Sequence, residues 1–159
     1  MIRYQIADEP APSKLARFAV NPVFPMLAAM LGGVWFAWPW FAFNGFAIGS
    51  PTRRVELAWL AAGLIAPPAI GWAVLVAYDA GLVAPGVAAS TVVPYAQLLV
   101  VVAKLVVVYA VFLLQSRTVE IYEYYGGKLV SGVLPLVAAF YLGDKLLVDL
   151  PFFLWLMLT

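Results

Sequence analysis

From Phe18 to Thr52 the chain carries no charged side chain, and three further apolar runs follow at 57–78, 92–114 and 129–158. A membrane helix needs about 20 apolar residues to cross a hydrocarbon core of about 30 Å. With 65% hydrophobic and 11% charged residues and a mean hydropathy of +0.99, the chain lies far from soluble proteins, which are roughly 45–50% apolar and about 25% charged. It belongs in lipid. The 159 residues hold a single domain, 1–159, with no room for a soluble catalytic module. The sequence predicts an all-α, polytopic integral membrane bundle in which 22–48, 57–78, 92–114 and 129–158 are the membrane segments behind a polar leader, 1–17. That leader lacks the pattern of a signal peptide, because the apolar run after it is too long and no small-residue cleavage site precedes a soluble body.

Local signals divide these segments. Asn21-Pro22 suits a helix start, since Asn accepts an orphan amide and Pro lacks the amide that would be orphaned. Gly32-Gly33 and Trp38-Pro39-Trp40 are break points in the first run. Pro67-Pro68 should kink the second near its middle. The linker 80–91 has no basic residue. The third helix extends beyond Gln115 toward Gly126-Gly127, where a glycine would stop it. In the fourth, 129–143 reaches only about 22 Å as a helix, so a crossing must include Asp144 and Lys145. Asp149-Leu150-Pro151 is a second break point. Small residues four apart, at Ala28/Gly32, Ala29/Gly33, Ala62/Ala66, Gly127/Ser131 and Ala139/Gly143, permit close helix approach.

Two topologies satisfy this pattern: four transmembrane helices, or three plus an N-terminal re-entrant hairpin. Basic residues favour the cytoplasmic side. Four crossings put Arg53, Arg54, Arg117 and Lys128 inside and strand Arg3, Lys14 and Arg17 outside. A hairpin at 22–48 places all of them on one side.

Lys104 lies near the centre of 92–114, and Asp144, Lys145 and Asp149 interrupt 129–158. A charge at the centre of a membrane helix costs about 2.5–3.5 kcal/mol on insertion scales, so such residues face a partner, a cavity or a pathway. The aliphatic residues of 92–114, at about −0.3 to −0.6 kcal/mol each, outweigh one lysine. Three charges in the last segment cost on the order of 8–10 kcal/mol, comparable with all that its apolar residues supply. Partners are expected. Lys145 and Asp149 share a helix face at i,i+4, while Lys104 and Asp144 fall near mid-membrane on sequential antiparallel helices. The four residues read as an intramembrane ion-pair set serving helix register, an ion path or docking to another subunit. Arg53 and Arg54 are placed to set topology and to contact an anionic lipid headgroup.

The sequence contains no Cys and no His, which removes disulfides, thiol chemistry, His-ligated haem and nearly all zinc or copper sites that this chain could build. No cofactor and no metal are expected. Its six Trp and eight Tyr suit interfacial belts. A formal charge of +1, with basic residues scattered in ones and twos, argues against nucleic acid. No nucleophile elbow, P-loop or paired acidic metal motif is present, so the chain is expected not to be an enzyme. The expected role is a small, non-catalytic subunit or assembly partner of a larger membrane complex, in a bacterial inner membrane, alongside other integral subunits or further copies of itself. The alternative is a proton- or ion-conducting component using Lys104 and Asp144.

Overall fold

The computed structural model describes residues 10–82 and 88–147. Among them are five α-helices and no strand: α1 Val23–Gly32, α2 Val34–Ile48, α3 Arg53–Asp79, α4 Ala89–Tyr124 and α5 Val133–Leu147, preceded by a short 3₁₀ helix, Lys14–Phe18. Two of these, α3 and α4, are long and apolar enough to cross a membrane.

The first apolar run is not one continuous spanning helix. Asn21 starts α1 as anticipated, its Oδ1 accepting from the Val23 amide at 3.0 Å. The helix then breaks at Gly33, whose backbone (φ 89, ψ 167) lies outside any helix, and α2 runs straight through Pro39. The two pieces fold back on each other: Ala28 and Ala37 pack in one buried cluster with Val20 and Trp40, and Val20 pairs its backbone with the Asn44 side chain. At 10 and 15 residues, α1 and α2 reach about 15 and 22 Å, each short of a hydrocarbon core. The run therefore forms a helical hairpin with its turn at Gly32-Gly33.

The hairpin returns the chain to the end at which it started. The Ala11 amide donates to Gly49 O at 3.1 Å and the Ser13 amide to Ala47 O at 3.1 Å, so the leader lies along the end of α2. Gly49 ends α2 in the left-handed region (φ 71), and a Cβ there would meet the Ala11 carbonyl. No other residue satisfies both conditions. The end of α4 joins the same place, with Val119 and Tyr122 packed on Ala16, Ala19, Ala47 and Ile48.

α4 continues past Gln115 to Tyr124, as its sequence predicts. There the Gly127 amide bonds Tyr122 O at 2.9 Å and the Gly126 amide bonds Glu123 O at 2.9 Å, a Schellman ending. α3 begins one turn earlier than the apolar run suggests, at Arg53, and carries Pro67 and Pro68 in its interior. It packs along α4, with Gly63 seating the Trp38 and Val107 side chains.

α5 takes α1 as its main partner, not α4. The seam is made by two of the small-residue pairs: a Cβ on Gly32 would lie 2.8 Å from Ala139 O, and one on Gly143 would lie 3.0 Å from Gly32 O. Ala28 and Ala139 are fully buried there. Asp149 and the break expected near it lie outside the described residues, as do residues 1–9 of the leader.

Candidate functional site

Among the described residues, every buried polar side chain except Lys104 gathers at the end of the bundle shared by the leader, the 49–52 turn and α4. Glu56, in the first turn of α3, is 2% exposed. Its Oε1 accepts from Ser50 Oγ and, at 2.7 Å, from Thr52 Oγ1; its Oε2 accepts from Gln115 Nε2 at 2.8 Å. A carboxylate so placed faces the positive end of α3 and takes hydrogen bonds from neutral donors on a loop and on α4.

Gln115 and Asn44 extend the network. Gln115 Nε2 also donates to Phe41 O at 2.7 Å, which uses both of its hydrogens. Its Oε1 accepts from Asn44 Nδ2 at 3.2 Å. Asn44 completes its own set with Val20, donating to the carbonyl and accepting from the amide, each at 3.0 Å. Thr118 Oγ1 lies 3.3 Å from Ser50 Oγ. One connected network thus ties the segment before α1, α2, the turn, α3 and α4, with both N–H donors of each side-chain amide used. It is a register lock.

Sequence reasoning missed this cluster. Glu56 directly follows Arg53-Arg54-Val55 and reads as a surface acid at a helix start. Asn44 is an uncharged residue inside an aromatic run, and Gln115 reads as the end of the third span. The available signal was three polar side chains inside or beside segments otherwise apolar.

Of the predicted residues, Lys104, Lys145, Arg53 and Arg54 are described in full and Asp144 by its place in α5 alone. Lys104 is buried at 5% exposure and stands beside the hairpin turn, where it lines a cavity of about 210 Å³ with Ala29, Met30, Val34, Val101 and Leu105. It lies about four turns from Thr118, roughly 21 Å along α4, so it does not belong to the Glu56 network. Lys145 is exposed on α5. Asp144 falls within α5 close to Gly143, which packs on the hairpin turn. Its side chain lies outside the described set, as does the whole of Asp149. Arg53 and Arg54 are both exposed at the start of α3, and the Arg53 guanidinium carbon lies 4.9 Å from the centroid of the Phe46 ring.

A second cavity, about 360 Å³, opens between α3 and α4 at the proline pair, lined by Pro67, Pro68, Trp72, Leu75, Val93 and Gln97 among others. Pro67 and Pro68 cannot donate to the carbonyls of Gly63 and Leu64, and Gly71 adds no side chain to fill the space. No group of three or more acidic side chains placed to hold a metal ion occurs among the described residues. No protein-family model matches the chain, and neither a curated protein nor a solved structure matches it.

Proposed function

We propose that the chain is a polytopic integral membrane protein, crossing with α3, α4 and the 129–158 segment and inserting α1–α2 as a re-entrant hairpin. It serves a larger membrane assembly as a non-catalytic subunit or assembly partner. The observation that supports this most is the division between a closed polar interior and uncovered apolar helices. Only 17% of the most apolar stretch of α3 and 28% of that of α4 is buried, and α5 leaves Leu134 82% and Tyr141 67% exposed. Such surfaces suit lipid and neighbouring membrane helices. The basic end, carrying the leader, Arg53-Arg54 and Arg117, would face the cytoplasm, which fits a bacterial inner membrane. Purification in mild detergent tests the role: stoichiometric foreign membrane subunits support it, and a lone chain or pure homo-oligomer counts against it.

A second reading is favoured by Lys104. The hairpin turn ends α1 in the interior of the bundle with its carbonyl end near this buried cation, and interrupted helices of that kind frame ion sites in transporters. In this reading Lys104 and Asp144 line a proton or ion path. Flux through reconstituted liposomes that disappears in Lys104→Met supports it, and absence of flux removes it.

A further inference from the structure

We infer that the basic end of the bundle is a docking surface for the anionic phospholipid headgroups of the leaflet it faces, with Arg17 and Arg53 as its two built contacts. This goes beyond the role proposed above and rests only on insertion of the chain into a bilayer. The sequence spreads its basic residues thinly, but the fold gathers them. Antiparallel closure of the hairpin, the Ala11 and Ser13 bonds to the end of α2, and the return of α4 bring Lys14, Arg17, Arg53, Arg54, Arg117 and Lys128 to one end, all exposed. The exposed acids there, among the described residues, are Glu120 and Glu123. The opposite end of α3 carries Asp79 and no base before Leu82.

Two of the six cations are held in a particular way. The Arg17 guanidinium lies 4.8 Å from the centroid of the Phe18 ring, and that of Arg53 lies 4.9 Å from the centroid of the Phe46 ring. Both rings are half exposed, Phe18 at 51% and Phe46 at 45%, and Leu15 beside them is 45% exposed. A guanidinium carries five N–H donors, more than one ring engages, and those that remain suit phosphate oxygens. The arrangement sets an aromatic ring against a cation twice, on the leader and on α2–α3. This is the pattern of an interfacial contact, with the ring at the acyl boundary and the charge at the phosphate. A soluble anion would use the guanidinium edge alone and leave both rings in water.

The test compares Tm in nanodiscs of phosphatidylcholine with Tm in discs that also contain phosphatidylglycerol, for the wild type, the Arg17→Gln/Arg53→Gln double variant and Arg117→Gln. The expected result is a wild-type Tm several degrees higher with phosphatidylglycerol. The double variant should lose more than half of that difference while keeping its Tm in phosphatidylcholine, and Arg117→Gln should lose little. The proposal is overturned by an unchanged lipid difference in the double variant, or by an equal loss in Arg117→Gln, which would mean diffuse charge rather than two built contacts. It is equally overturned if inorganic phosphate added to phosphatidylcholine discs reproduces the stabilisation, since the surface would then read the free anion. Failure of the chain to enter discs at all would instead refute the membrane reading on which the inference rests.

Discussion

Replacing Gln115 by leucine takes a donor from the Glu56 carboxylate and an acceptor from the Asn44 amide in one step. Each buried group left unmet costs about 1–3 kcal/mol, so Gln115→Leu should lower stability by about 2–6 kcal/mol, read as Tm in mild detergent. Adding Glu56→Leu removes the stranded carboxylate, and the double variant should regain part of the loss through a coupling of about 0.5–3 kcal/mol. Strict additivity would show that the Gln115–Glu56 contact carries no energy of its own. Lys104 is open to the same experiment with Asp144: Lys104→Met and Asp144→Leu should each reduce Tm, and the pair together should recover some of it if the two are coupled. The contrast in legibility is physical. Lys104 stands out because a charge in a hydrocarbon run is costly wherever the run packs. Glu56 does not, because its partners lie 59 residues ahead on α4 and in a turn whose fold only the whole molecule defines.

Helix breaks show a similar contrast. Gly32-Gly33 and Trp38-Pro39-Trp40 were both visible as break points, yet only the glycine pair breaks the chain. A proline inside a helix loses one bond and strains one turn, whereas the backbone at Gly33 leaves helical space altogether. The small-residue pairs were individually uninformative, since such spacings recur in any Ala-rich segment. Ala28/Gly32 and Ala139/Gly143 gain meaning by meeting each other across the α1–α5 seam. Ala139→Leu should therefore wedge the seam apart at a cost of about 1–3 kcal/mol, while Ala62→Leu, on an exposed part of α3, should be nearly neutral. Equal Tm changes for the two would mean that α5 is not held at this seam.

At the scale of the whole molecule, composition sufficed for an all-helical fold with helices long and apolar enough to cross a membrane, but the number of such helices depended on whether the first run folds back. Hydropathy cannot decide that, because a span and a hairpin bury the same residues in the same solvent. The basic residues and the Gly32-Gly33 break point offered the hints, and the pairing of the leader with the end of α2 agrees with them. The cysteine-free chain makes the test direct. Ala11→Cys and Pro51→Cys should both resist an impermeant thiol reagent in intact cells and react after permeabilisation, whereas Leu82→Cys, 79% exposed at the far end of α3, should react from outside. Opposite labelling of Ala11→Cys and Pro51→Cys would require a complete first crossing.

The register lock also has an order in time. Asn44 and Glu56 are synthesised well before Gln115, which follows Glu56 by 59 residues, a delay of about 3–12 s at roughly 5–20 residues per second. Throughout that interval the Asn44 amide on α2 and the Glu56 carboxylate on α3 keep their bonds to Val20, Ser50 and Thr52 but each lack the one that Gln115 supplies, and an unmet buried polar group is costly. A ribosome that stops short of α4 releases a product already marked by its own unmet groups, so truncations ending before Gln115 should be cleared quickly, and those ending just beyond Gly127 should persist longer.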